Sequence, residues 1–381
     1  MQAVPHNSPR LVFPLCAGGC GAFPYSRVRP HIPAAIRIPF GKTENEVEKM
    51  RGNTMEEAVG TGRAAELFVP EGELSDTPEN RAALRDADSL TEAMEAGTVL
   101  EAPCVLCDCA SMELRVEFPS GLRGVIPRDE AVFTPDGSPP RDIAVITRVG
   151  KPVQFRVTGF RRGVRGERIA VCSRRSVQRS FCQSALAAAR PGDLIRAKVT
   201  HLEPFGVFCD IGAGVPALLP VDRISVSRVS HPGDRFRVGD AIRAVILSKT
   251  PEGRVYLTCR ELYGTWEENA ALFSPGTTVR GIIRSVEEYG IFIELTPNLA
   301  GLAEPAPEAV PGRRCSAYIK SILPDRMKIK LALVDVGEEA PIARGDPALF
   351  RTGGLMRLSR WRYSPEGCRK LVETVFGEGE T

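Results

Sequence analysis

Phe205-Gly206-Val207-Phe208-Cys209-Asp210-Ile211, running on through Gly-Ala-Gly-Val-Pro-Ala-Leu-Leu to Pro220, alternates with a period of two. Successive residues of a strand point to opposite faces, so Val207, Cys209 and Ile211 share one face while Phe208 and Asp210 share the other. Phe208 is expected to point away from the core. Phe205 falls on the inner face unless the chain kinks. Gly206, without a Cβ, permits a bulge there that would turn both rings outward. The stretch reads as a hairpin whose exposed edge carries aromatic rings.

The pattern returns without a gap in Tyr289-Gly290-Ile291-Phe292-Ile293-Glu294-Leu295, which runs on to Gly301-Leu302-Ala303-Glu304. An earlier copy runs from Met112-Glu113-Leu114-Arg115-Val116-Glu117-Phe118 to Gly124-Val125-Ile126-Pro127, but Met112 and Arg115 stand where the rings should be. The chain therefore contains an internal repeat whose first copy keeps the scaffold and loses the aromatic pair. In the second copy, strands are expected at 194–200, 207–211, 217–219, 241–248 and 254–259, with an irregular connection at 225–238. Five short strands with one long connection after the third fit a closed Greek-key barrel of the OB type, which leaves no free edge. The fold class expected is mainly β: three tandem five-stranded OB-type barrels with helical connectors and a disordered amino-terminal segment.

The domain boundaries follow from this spacing. Residues 97–175 form a degenerate first barrel, 176–190 a helical spacer, 191–262 the second barrel, 263–274 a connector and 275–335 the third barrel. Trp266 in the connector is expected to pack between barrels. Residues 1–54, rich in Pro, Gly and Arg, have no periodicity that would fold alone and read as disordered. A second reading is that they are untranslated, with Met55 as the start. Residues 55–96 turn acidic and read as a solvated arm with one or two short helices, or as a docking arm for a basic partner. The extension at 336–381 interleaves Arg357, Arg360 and Arg362 with Trp361 and Tyr363, a composition that suits single-stranded nucleic acid or a short element docked on a barrel.

The 381 residues, 43% of them apolar, are enough for several cores, and a net charge of +3 is too small to announce a nucleic-acid binder. Local charge is more informative. Arg156, Arg161, Arg162, Arg165 and Arg168 crowd the last hairpin of the first repeat, followed by Arg174 and Arg175. They read equally as a solvated hairpin and as a contact for backbone phosphates.

Eleven cysteines without a secretory leader point to a reducing compartment. Cys104, Cys107 and Cys109 lack the partners a zinc site needs and read as strand residues, so no metal and no cofactor are expected. No apolar run approaches the roughly 20 residues of a spanning helix, so no membrane partner is expected. No phosphate loop, zinc-protease motif or nucleophile elbow is present, and the catalytic set is expected to be empty.

With the repeats and the hairpin established, the sequence resembles the S-one RNA-binding domain family. Phe-Gly-Val-Phe at 205–208, Leu-Leu-Pro at 218–220, Val238-Gly239-Asp240 and Arg254-Val-Tyr-Leu-Thr258 follow that family's runs in order. The resemblance covers about residues 97–335, weakly in the first third. It implies that two aromatics of the second strand and a cation opening the fifth contact single-stranded RNA. By position these are Phe205, Phe208 and Arg254 in repeat two, and Tyr289, Phe292 and Lys328 in repeat three. Pro220 and Glu304 stand where many members have a His, and Thr250 replaces a common Asp.

The function implied is non-enzymatic binding of single-stranded messenger RNA in translation, with the small ribosomal subunit as partner, a cytoplasmic location and no small-molecule substrate. The alternatives are a free RNA-binding regulator or decay accessory, and a protein-interaction scaffold. Repeat one, without rings, is expected to serve protein contact or to support the other barrels.

Overall fold

The computed structural model describes residues 68–339 and 357–377. The expectations for 1–54 and for the start of the acidic arm lie outside them. Fifteen strands form three closed five-stranded barrels in succession. The first contains β1 (Leu100–Cys107), β2 (Leu114–Glu117), β3 (Arg123–Ile126), β4 (Pro152–Arg162) and β5 (Arg168–Ser173). The second contains β6 (Leu194–Glu203), β7 (Gly206–Asp210), β8 (Pro216–Pro220), β9 (Ala241–Lys249) and β10 (Val255–Thr258). The third contains β11 (Thr278–Glu287), β12 (Gly290–Thr296), β13 (Leu299–Ala303), β14 (Arg313–Leu323) and β15 (Lys328–Glu339). In each, the third strand closes the barrel by pairing parallel with the fifth, and every other pairing is antiparallel. This is the OB arrangement. Among the described residues no helix is long and apolar enough to cross a membrane.

The period-two pattern fills each barrel. Val207 and Cys209 of β7 are fully buried with Ala217, Leu219, Ile246 and Leu257, and Ile291 and Ile293 of β12 do the same with Leu299, Ile319 and Leu331.

The acidic arm departs from its solvated reading. Thr77 caps α1 (Pro78–Ala83) and Asp86 caps α2 (Ala87–Ala96), and Leu84, Leu90 and Ala93 bury their side chains in the core of barrel 1. The segment before α1 lies between barrels. The Val69 carbonyl accepts from the Ala213 amide at 2.9 Å and from Gln154 Nε2 at 3.1 Å, tying barrel 2 to barrel 1. Glu71 of this segment pairs with Arg174 of the same chain, and its carbonyl accepts from Lys198 Nζ at 2.9 Å.

The expected spacer at 176–190 begins earlier and does more than space. Ser173 caps α3 (Arg174–Phe181), a wider turn follows at Cys182–Leu186, and Val177 and Phe181 are buried in the core of barrel 2. Trp266 opens a short helix, Trp266–Ala270, and is buried in the core of barrel 3. The described part of the carboxyl-terminal extension forms a two-stranded sheet of β16 (Arg360–Arg362) and β17 (Glu373–Val375). Trp361 and Tyr363 bury their rings against barrel 3, while Phe376 packs on Val245 and Leu262 beside barrel 2. Both rings are therefore unavailable to nucleic acid. The Leu358 amide donates to the Gly192 carbonyl at 2.8 Å. Gly192 is required there, because with φ +91° a Cβ would lie 1.9 Å from the Leu358 oxygen.

Candidate nucleic-acid interface

The two rings of barrel 2 stand at a two-residue turn. β6 ends at Glu203, Pro204 and Phe205 make the turn, and β7 starts at Gly206. Phe205 is 56% exposed and Phe208 half-buried, with ring centroids 6.1 Å apart at an interplanar angle of 90°. Barrel 3 repeats the arrangement. Tyr289 is 69% exposed, Phe292 is half-buried, and their rings are 6.1 Å apart at 87°.

The expected bulge at Gly206 is not what turns Phe205 outward. The register irregularity lies on the partner strand, between Val199 and His201, and Phe205 faces outward because it occupies the turn. Gly206 has a different use. A Cβ there would lie 2.6 Å from the Leu219 carbonyl oxygen, and one at Gly290 would lie 2.5 Å from that of Ala303. The glycine between the rings lets the third strand approach closely.

The pairing places a row of side chains beside the rings. Across β6, β7, β8 and β10 it reads His201, Phe208, Leu218 and Tyr256. The corresponding row in barrel 3 is Ser285, Phe292, Leu302 and Lys330. Arg254, exposed, immediately precedes β10, and Lys328, exposed, opens β15. Both cations are therefore two residues upstream of the row on its fifth strand. Tyr256 and Lys330 were not singled out from sequence. The signal was available, since residues i and i+2 of a strand share a face. His201 is exposed and hydrogen-bonded to Glu203 at 2.8 Å.

Asp210, expected on the outer face with Phe208, is 3% exposed, because barrel 1 and the arm cover that end of the strand. It accepts from the amides of Glu71 at 2.7 Å, Gly212 at 2.8 Å and Gly214 at 3.0 Å. Arg174 binds the Glu71 carboxylate with two nitrogens, at 2.6 and 3.0 Å, and donates also to the Ala131 and Gly214 carbonyls. The matching position of barrel 3, two residues after Phe292, is Glu294. It is 4% exposed and held by Arg235 of barrel 2 at 2.7 and 2.5 Å and by Arg284 at 2.7 Å. Each ring strand thus carries, two residues after its second ring, a buried carboxylate that ties its barrel to the preceding part of the chain. In barrel 1, the first barrel among the described residues, the same position is Glu117, which is exposed.

Burial first, and then the neighbouring Glu71 carboxylate, push Asp210 up to about 7 against the pull of its amide donors. From about pH 4, where an unfolded Asp ionises, to about 7, the folded chain holds a proton that the unfolded chain has released. Stability from this group therefore falls as pH rises through that window and is level above it. Asp210→Asn is expected to flatten this slope in urea titrations run between pH 5 and 8, and an unchanged slope would assign it elsewhere.

The arginines of the last hairpin of barrel 1 divide. Arg156 is turned inward onto the Gly97 and Ser176 carbonyls, and Arg174 is buried, so neither is available to a phosphate. Among the described residues no cluster of His, Cys, Asp and Glu is arranged to hold a metal ion. Cys104 lies in the core of barrel 1, where burial raises its thiol to about 11.

Residues 189–260, which contain all of barrel 2, match the sequence profile of the S1 RNA binding domain. The chain thus contains an S1 RNA binding domain as the second of its three tandem OB barrels, and in the matched segments it is similar to ribosomal protein S1. It is 34% identical over 113 residues to small ribosomal subunit protein bS1 of Leuconostoc lactis, covering 29% of this chain and 26% of that protein. It is 30% identical over 129 residues to the bS1 homolog of Bacillus subtilis, covering 33% of this chain and 34% of the relative. The matches thus span about a quarter to a third of those relatives. A crystal structure of a multidomain protein with nucleic acid binding domains from Streptococcus pneumoniae covers 63% of this chain and 74% of its own at 12% identity, with a TM-score of 0.22, too loose an overlap to bear on function.

Proposed function

We propose that this chain is a non-enzymatic binder of single-stranded RNA acting in translation, with Phe205, Phe208 and Arg254 of barrel 2 and Tyr289, Phe292 and Lys328 of barrel 3 as its contacts. The observation that carries the reading is the duplicated ring pair: two barrels present perpendicular rings at the same hairpin turn with the same separation. An aromatic ring offers a stacking surface to any base, and each stack is worth roughly 1–3 kcal/mol, so recognition is tolerant of sequence. One pair supplies on the order of 2–6 kcal/mol, short of the about 8 kcal/mol of micromolar binding. Two barrels held by the Arg235–Glu294 junction bind one strand with the second contact intramolecular, which makes up the difference.

The similarity to bS1 supports a place on the small ribosomal subunit, where the chain would hold unstructured messenger RNA. The short span of that similarity keeps a second reading open, a free RNA binder that never joins ribosomes. The scaffold reading is disfavoured by the exposure of Phe205 and Tyr289, which lie under no neighbouring barrel.

Two measurements test the proposal. In fluorescence anisotropy the protein is expected to bind an unstructured oligouridine at least tenfold more tightly than a duplex of equal length, because paired bases have no free face. Equal affinity would remove the stacking basis. In gradient sedimentation it is expected to travel with small subunits. If it stays at the top while still binding oligouridine, the free-binder reading replaces the ribosomal one.

A further inference from the structure

Barrel 1 lacks the hairpin ring pair, yet it has a groove of about 500 Å³ on the face that carries the pair in the other barrels. The register shows the substitution directly. Arg115 of β2 lies between Leu106 of β1 and Val125 of β3, the place Phe208 holds between its neighbours in barrel 2. Met112, at the position of Phe205, is half-buried and packs on the barrel 1 core. Arg123, two residues before Val125, shares its face, and Arg161 and Arg162 of the β4–β5 hairpin form the opposite wall.

The acidic residues of the groove are already engaged. Glu113 takes both nitrogens of Arg161, at 3.0 and 2.8 Å. Asp108 caps its own turn through the Ala110 and Ser111 amides. Glu167 accepts the Arg165 amide at 2.9 Å. Arg115, Arg123 and Arg162 are exposed and form no hydrogen bond or ion pair through their side chains among the described residues.

We infer that this groove is a cradle for the phosphodiester backbone of a single-stranded polynucleotide, with guanidinium forks in place of the stacking rings. Three guanidinium groups with no carboxylate at ion-pair distance, lining one open groove, match a chain of regularly spaced anions. A guanidinium binds phosphate oxygens through two parallel N–H donors. No ring lines the groove to hold a base, so the cradle reads the backbone alone. The inference takes its ligand class from the proposed function and assigns barrel 1 a binding role of its own, where the lack of rings pointed to protein contact or support.

The test uses the full chain and two probes of equal length, oligouridine and an abasic ribose-phosphate oligomer. The triple variant Arg115→Gln, Arg123→Gln, Arg162→Gln is expected to lose at least tenfold in affinity for the abasic oligomer. The slope of log affinity against log salt should fall by about 2, since each single-strand phosphate contact contributes about 0.7. Lysine at the same three positions is expected to restore the slope, which separates charge from misfolding. Replacing the four rings with alanine should leave abasic binding unchanged.

If the glutamine variant binds the abasic oligomer as the parent does, or the parent does not bind it at all, the cradle is overturned, whatever oligouridine does. If abasic binding depends on the arginines while the ring variant still binds oligouridine fully, the cradle stands and the ring-based function fails. A polyglutamate peptide that displaces the abasic oligomer at equal charge would assign the groove to acidic proteins instead.

Discussion

Arg174→Met is expected to lower the unfolding free energy by about 3–5 kcal/mol, the cost of removing one partner from a buried ion pair. The guanidinium is 2% exposed and its two contacts to Glu71, at 2.6 and 3.0 Å, are made where the carboxylate has little water. Without it, Glu71 and Asp210 remain buried together, and above about pH 7, where Asp210 ionises as well, the two like charges in low dielectric repel strongly. Arg148 lies 3.7 Å from Glu71 but makes no hydrogen bond to it, so it is a weak substitute. Glu71→Gln added to Arg174→Met should recover part of the loss by removing one of the stranded charges. Arg235→Met at the next junction should cost less, because Arg284 still holds Glu294 at 2.7 Å. Urea denaturation of the three variants checks the ranking. A loss below about 1 kcal/mol for Arg174→Met would mean that the junction opens to water and that the barrels are not locked there.

Replacing Phe205, Phe208, Tyr289 and Phe292 together with alanine is expected to weaken oligouridine binding at least about a hundredfold, or about 2.7 kcal/mol, less than the summed stacks because contacts to one strand are not additive. The salt slope should stay within about one unit of the parent, since a ring neutralises no phosphate. Phe205 and Tyr289 sit in turns and leave the cores intact, whereas Phe208 and Phe292 are half-buried and lower the melting temperature somewhat. Binding is therefore compared well below the melting point of the variant. Tyr289→Phe, which keeps the stacking face, should bind as the parent does. A loss under threefold for the four-ring variant would make the rings ordinary surface packing.

Much of the interface is legible in the sequence because it is built from short-range chemistry. A strand turns over every second residue, so the alternation at 205–211 and 289–295 places the core side chains and identifies Phe208 and Phe292 as outward. The repeat itself identifies the hairpin. The same local reasoning misassigned Gly206, whose role depends on how near the Leu219 carbonyl comes from a different strand.

The fate of Asp210 was not legible. Period two puts it beside Phe208 on the outer face, and it is on that face; what the alternation cannot report is that another barrel and the 68–77 segment cover one end of it. Glu71 meets Arg174 across a sequence separation of 103 residues, and no spacing rule connects two residues brought together only by the assembled fold. The same holds for Trp361 and Tyr363, whose interleaved arginines suit nucleic acid as well as they suit a docked strand until barrel 3 is present to bury the rings.

Sequence alone determined the barrels, their number, and the residues that face outward, because each of these follows from periodicity and repetition along the chain. The tertiary structure decided which outward positions meet solvent and which lock one barrel to the next. A carboxylate is stable at either place only when water, an amide or an arginine completes it, and that partner is a property of the assembled fold.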